Sequence, residues 1–222
     1  MLRIPSPGIG ARERFGDSGY VPLHGLLDPS LLSLLRQEAL RLEKAGRRRD
    51  FTMECMDGSP RHLTTLGGQV IARQSALIPR LYADDAMVRL VSRLTGENIV
   101  TVADPVERHV LNILHRQGDT HGAHTDDYPY ALVLFLEAPA STADGGLLEY
   151  VPGTRHLDDL RTPTARSVHH RPGDAYLLRS DTTAHRVTPL TRAGLRRTVL
   201  NFAYTTPDFR PRDTGSAREL YT

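Results

Sequence analysis

The residues best suited to chemistry gather between Asp119 and Asp127, in the stretch DTHGAHTDD. Within it His124, Thr125 and Asp126 form a His-x-Asp, and His185 follows far downstream in DTTAHRVTPLTRAGLRRTVLNFAY. Two neutral imidazoles and a carboxylate on one face of a metal ion leave the opposite positions open, the donor set that holds non-haem Fe(II) for work with O2. Further on, Arg196 and Arg197 offer planar cations fit to clamp a carboxylate through two parallel hydrogen bonds. The combination points to a metal centre served by a dicarboxylate co-substrate, 2-oxoglutarate. His-x-Asp alone is a weak signal in a chain with ten histidines. Taken singly, His124 and His185 read more readily as structural histidines. Their context changes this: His124 and Asp126 share one side of an extended segment. They also lie in the loop just before the apolar run Tyr130–Glu137, where the mouth of a barrel would set a metal.

The elements that must position these residues are legible in outline. Asp28-Pro29-Ser30 starts a helix, with Asp28 as cap and Pro29 in the first turn. Leu31, Leu32, Leu35, Ala39 and Leu42 recur at helical spacing until Gly46. Residues 47–75 read as mixed, and the basic run Arg47–Arg49 as a solvated helix end. A second helical region is expected from Ser75 to Leu94, stopped by Gly96. From Ile99 the period changes to two, and short apolar runs follow at 99–102, 106–114, 131–136, 147–151, 175–178 and 198–204. Helices first and strands afterwards predict an α+β, mainly β chain. Its core would be a double-stranded β-helix, a cupin-like jelly roll, with packing helices at the N-terminal side. The expected division is one domain over 1–222, with helical support in 1–98, the jelly roll in 99–205 and a tail in 206–222 that is either disordered or folded over the mouth of the site.

A chain of 222 residues is long enough to bury a core around an internal site. The net charge is only +2 and Lys44 is the single lysine, so nucleic acid is not an expected partner. The lone Cys55 excludes an internal disulfide framework and a thiolate zinc site. Residues 1–27 contain no apolar run of signal-peptide length, and no stretch is long and apolar enough for a membrane span. A cytoplasmic protein, monomer or homodimer, acting on a small molecule is the expectation.

Several motifs then align with a known group. The order HxD, GG…VPGT, GD, His and Arg over about residues 99–205 resembles the Fe(II)/2-oxoglutarate oxygenase superfamily. A closer resemblance is to the small radical amino-acid halogenases and their hydroxylase relatives, the group that includes the free-lysine halogenase. It is carried by GDTHGAH (118–124), GGLLEYVPGT (145–154), GDAYLLRSDTTAHR (173–186) and RTVLN (197–201). In those halogenases glycine replaces the triad carboxylate so that chloride can take its place on iron. Asp126 stands at that position here, so the resemblance implies hydroxylation of an amino-acid C–H bond. The iron ligands it implies are His124, Asp126 and His185.

For the 2-oxoglutarate carboxylate, strand register poses the choice. Arg197, Val199, Asn201 and Ala203 share one face of the last strand, and Arg196, Thr198, Leu200 and Phe202 the other. Asn201 is best explained if its face lines a polar cavity, so Arg197 is the first choice; an Arg196-x-Thr198 grip stays open. The resemblance matches His121 to a substrate-carboxylate contact and Glu107 and Asp127 to positions that hold ammonium groups. Two acids near a metal pocket favour a cationic ligand, and Asn201 adds a hydrogen bond. Arg61 is a further candidate for the substrate carboxylate. Structural roles compete at each position: Asp127 as a turn cap, Glu107 as an exposed strand residue, His121 as a loop brace. Ala203 stands where lysine-specific relatives are expected to carry a hydrogen-bonding residue, which turns the reading away from lysine itself. Alternatives are the same iron chemistry on a carrier-bound or peptidyl residue, a desaturation or cyclisation outcome, a zinc hydrolase with the same triad, and a non-enzymatic cupin-like binding module.

Overall fold

Strand-forming sequence in this chain curls around the HxD segment, as a computed structural model shows for residues 10–212 and 214–221. The expectations for residues 1–9 lie outside the described residues. Helix α1 (Ala11–Ser18) and strand β1 (Tyr20–Leu23) come first, with Phe15 as the buried anchor of the helix. Helix α2 (Pro29–Glu43) follows, and the Asp28 carboxylate accepts the amides of Ser30 and Leu31 as its cap. Leu35, Ala39 and Leu42 are its buried stripe.

Next comes a hairpin that the sequence reading missed, strands β2 (Arg47–Met53) and β3 (Ser59–Leu66). The Arg47–Arg49 run is therefore the start of a strand and no helix end. Its charges hide the alternation that would have marked it. Helix α3 (Gly68–Gln74) closes the stretch read as mixed, and the expected single helix over 75–94 is two, α4 (Leu77–Tyr82) and α5 (Asp85–Thr95). Asp84 breaks the run by accepting the amide of Ala86 and so starting a new helix. Gly96, at φ 77°, ends it as expected.

The remaining strands are β4 (Val100–Thr101), β5 (His109–Leu114), β6 (Thr120–His124), β7 (Tyr130–Glu137), β8 (Leu148–Val151), β9 (Arg166–Val168), β10 (Ala175–Arg179), β11 (Ala184–Val187) and β12 (Arg197–Thr205). They join β1 and β3 in one curled antiparallel sheet of order β1-β10-β7-β12-β5-β3-β6-β11-β8-β9, with β2 on β3 and β4 on β12. This is the jelly-roll architecture expected. The region expected to be helical support nonetheless supplies three strands of the sheet.

The curled sheet has two apolar faces. Along β7, Tyr130, Leu132, Leu134 and Leu136 pack outward with Leu35, Leu42 and Leu90 of the helices. Ala131, Val133 and Phe135 face inward with Tyr20, Tyr150, Tyr176 and Val199. Burial on both sides is why YALVLFLE reads as an unbroken apolar run. The tail folds over the site as helix α6 (Ser216–Tyr221), with Leu220 buried against a cluster that includes Met53, Met56 and Leu63. Among the described residues no helix is long and apolar enough to cross a membrane.

Candidate active site

Strands β6 and β11 are far apart in sequence but adjacent in the sheet, and their register sets His124 directly opposite His185. A bulge between His185 and Val187 shifts the pairing there, a device that re-aims side chains. The two imidazole rings stand 4.1 Å apart between centroids. Asp126, two residues beyond His124, is tied by its amide to the Ser180 carbonyl, 3.0 Å. Its Oδ1 lies 3.6 Å from His124 Nε2 and 3.8 Å from His185 Nε2. Ligand atoms of all three fall within 4.8 Å of one another, the one such group among the described residues.

Protons decide what this cluster can hold. His124 Nδ1 lies 2.7 Å from the Gly122 carbonyl and His185 Nδ1 lies 2.9 Å from the Thr183 carbonyl. A carbonyl only accepts, so each Nδ1 donates, and both Nε2 atoms turn a lone pair toward Asp126. Three acceptors converge with no donor among them. Burial, then His185 and His121, holds the His124 imidazole well below its usual range, while burial pushes the Asp126 carboxyl up. A divalent cation resolves both strains, and donors at about 2.1 Å from one ion stand roughly 3 Å apart in neighbouring positions. The residues fit Fe(II) with open positions on the far side.

Arg197 is 2% exposed and turns into the sheet interior, its guanidinium carbon 4.9 Å above the Phe135 ring. Its Nε is buried without a partner, and burial pulls its pKa down, with Tyr176 opposing. No acidic partner for it is found among the described residues. Val199, on the same strand face as Arg197, packs inward with Phe135, Tyr150 and Tyr176, and His185 lies opposite Tyr150 in the register, so the guanidinium and the triad lie on the same inner face of the sheet. His170 stacks on the same Phe135, 4.5 Å between centroids, and meets the Tyr20 hydroxyl at 3.0 Å. Gly146 of the GG pair packs against this side chain: an added Cβ would stand 3.3 Å from Arg197 Cδ. A buried guanidinium with no acid beside it is costly and suits a carboxylate supplied from outside.

Arg196 and Thr198 face the other way. Arg196 pairs with Glu137 at 2.6 Å and Glu43 at 2.5 Å, and the Thr198 hydroxyl donates to Glu137 at 2.6 Å. The Arg-x-Thr grip on a carboxylate therefore exists, but its carboxylate is the protein's own, on the helix-covered face. Asn201 lies on the Arg197 side, its Oδ1 buried without a partner, and it lines a cavity of about 40 Å³ with Glu107, Asp126, Tyr128 and Tyr221.

A second cavity of about 40 Å³ brings Arg61, Glu107, His121, His124, Asp126 and Asp127 together. Arg61 is 1% exposed and donates to Ser59 Oγ at 2.6 Å; burial pulls its pKa down to about 10. His121 stacks on His124 at 4.2 Å and is held far below its usual range by burial and by Arg61. Asp127 is buried and accepts from the hydroxyls of Thr214, at 2.9 and 3.1 Å, and Ser216, at 3.3 Å. It thus anchors the tail over the site.

Tyr221, which sequence reasoning missed, lines both cavities, as Glu107 and Asp126 do. No period or motif marks it. The only signal available was the chance, already noted, that the tail covers the mouth.

Comparison with known proteins follows the same lines. Among solved structures, similar folds include SnoK, a non-haem α-ketoglutarate-dependent carbocyclase from nogalamycin biosynthesis (TM-score 0.73, 16% identity, covering 98% of this chain and 94% of that one). Another is an oxidoreductase of the 2OG-Fe(II) oxygenase family from Burkholderia pseudomallei (TM-score 0.68, 19% identity, covering 91% and 93%). A third is HygX from Streptomyces hygroscopicus, solved with nickel, 2-oxoglutarate and hygromycin B (TM-score 0.65, 17% identity, covering 91% and 89%). A search of curated proteins gives no match. The profile of the Halogenase D (HalD) family matches residues 9–218, nearly the whole chain, and the protein belongs to that family.

Proposed function

We propose that this chain is an Fe(II)- and 2-oxoglutarate-dependent hydroxylase of a free, cationic amino acid or a close derivative, working in specialised metabolism. One observation carries the reading: an acceptor-only triad of His124, Asp126 and His185 lies on the same inner face of the sheet as the buried guanidinium of Arg197, which has no acid beside it among the described residues. A zinc hydrolase or a plain cupin-like binder gives that guanidinium no task. The bound 2-oxoglutarate of HygX and the cofactor named for SnoK support the assignment by likeness of fold.

Fe(II) with 2-oxoglutarate supplies the oxidising power that attacks an unactivated C–H bond, with O2 consumed and succinate and carbon dioxide released. The side chains do the rest. His124 and His185 present Nε2 because carbonyls fix their Nδ1 protons. Arg197 pairs with the distal carboxylate of 2-oxoglutarate, against Phe135 and beside Tyr176. Arg61 and His121 line the side of the cavity suited to a substrate carboxylate. Glu107 and Asp127 give the same cavity a negative wall that favours an ammonium group, and Asn201 offers an acceptor to it.

The family takes its name from halogenation, yet Asp126 aims a carboxylate at the position where a halide would have to sit. Occupied ligand space is the physical reason to favour hydroxylation. A free substrate is favoured because α6 and its Asp127 anchor close the mouth, and a tethered residue would have to displace them. The test is succinate formation by iron-loaded protein across a panel of free amino acids, with mass spectrometry of each mixture. A substrate-dependent rise in succinate and a product heavier by one oxygen are expected. Asp126→Ala should abolish that product and weaken metal binding; a wild-type yield from this variant would remove Asp126 from the centre. A chlorinated product from the wild type would overturn the hydroxylase assignment.

A further inference from the structure

Behind the C-terminal helix lies a basic groove that the oxidation chemistry leaves unused. Strand β2 opens with three arginines in a row, and alternation divides them. Arg48 turns to one side, where it holds Asp50 at 2.6 and 2.8 Å and Asp119 at 2.7 and 2.9 Å. Arg47 and Arg49 turn to the other, and Arg73 of α3 joins them around a groove of about 210 Å³ walled by Tyr221.

Among the described residues no acid lines this groove. The nearby carboxylates are committed elsewhere: Glu43 to Arg196, Glu38 to Arg41, Asp50 and Asp119 to Arg48. Among the described residues Arg47, Arg49 and Arg73 form no ion pair. Arg49 Nε and Nη2 are buried and have no hydrogen-bond partner among the described residues. Burial, and then the neighbouring Arg47, lowers its pKa. Buried guanidinium donors without acceptors are costly, and three like charges around one space add repulsion. Both costs vanish when an oxyanion enters. A carboxylate satisfies one guanidinium fork, whereas a phosphate dianion turns three outer oxygens to three cations at once.

We infer that this groove binds phosphate, either the inorganic ion or the phosphate end of a small phosphomonoester, on Arg47, Arg49 and Arg73. Tyr221 is then the partition between the phosphate and the cavities that hold Asp126. The site is separate from the metal centre and is tested without turnover.

The experiment is calorimetric titration of inorganic phosphate into the full chain at low ionic strength, with chloride and acetate at matched ionic strength as controls. Saturable one-to-one binding is expected, weakened about tenfold or more in Arg49→Gln, the loss of one charge-assisted contact. Arg73 is exposed, so Arg73→Gln should weaken binding while leaving the melting temperature unchanged, which separates lost contact from lost fold. Glycerol phosphate binding more tightly than phosphate would place an organic group in the groove as well; equal affinity would mean that the phosphate alone is read. Absence of saturable binding, equal affinity in both variants, or chloride or acetate matching phosphate would overturn the assignment.

Discussion

Arg196 and Arg197 are chemically identical neighbours whose surroundings give them opposite tasks. Arg196 has two carboxylates at hydrogen-bond distance, and Glu43 and Glu137 raise its pKa against the effect of burial. Arg197 has an aromatic ring, a tyrosine and no acid among the described residues. Arg197→Ala should therefore raise the 2-oxoglutarate concentration required for half-maximal succinate formation by about thirtyfold or more, with the amino-acid requirement little changed. Arg196→Ala should leave that requirement alone and lower the melting temperature instead, because Glu137 and Glu43 would keep their burial and lose their cation. Steady-state kinetics and thermal melts on the two variants read this directly. A larger kinetic effect from Arg196→Ala would move the 2-oxoglutarate role to Arg196, and equal effects would deny Arg197 a special role.

At the scale of elements, the site depends on how closely β6 can lie on its neighbours. Gly122 sits between His121 and Ala123 with no room for a side chain: an added Cβ would stand 2.5 Å from the Pro60 carbonyl oxygen. Its own carbonyl fixes the tautomer of His124. Gly122→Ala must push β6 away from β3 and misalign one ligand, so metal affinity should fall about tenfold or more, the scale of lost second-sphere support. Metal titration followed by calorimetry checks it; unchanged affinity would show that the strand can yield without moving the histidine. Much of this architecture was legible beforehand. The β-branched and leucine-rich runs marked β5, β7, β8, β10 and β12 because each buries at least one face. The β2–β3 hairpin was not legible, since Arg47, Arg49 and Arg61 occupy positions that alternation would fill with apolar residues. Polar residues in a strand break the pattern when they line a cavity, and that is where function puts them. β6 was read as a loop for the same reason, its THGAH carrying two histidines and a threonine in place of hydrophobes. That His124, Asp126 and His185 would converge was legible from residue type, and that Arg196 and Arg197 face opposite ways followed from parity along the strand. Tyr221 was not, because a short amphipathic helix gives no sign of what it will cover.

On the scale of the whole molecule, buried histidines set the response to acid. Burial lowers the pKa of His109, His121 and His124, and brings that of His170 down to about 3. A histidine whose folded pKa is depressed binds fewer protons folded than unfolded between its folded value and the ordinary value of about 6.5. Stability of the metal-free protein is thus full above about pH 6.5 and falls as pH drops through that window. Asp126, with its carboxyl raised, pulls in the opposite direction, but it is one group against four. Thermal melts between pH 5 and 8 should show the decline toward acid; a flat or rising profile would mean that these imidazoles are not held neutral.

The register that sets His124 opposite His185 also bears on how the centre acquires its metal. Their strands meet only when the sheet curls shut, so the two imidazoles are strangers in an unfinished chain and cannot recruit an ion together. The socket is completed by folding and filled afterwards. Affinity of such nitrogen and oxygen donors rises from iron through nickel toward copper whatever the protein prefers. In the proposed reading, the resident ion is then chosen by which metal a finished socket meets as much as by the donors themselves.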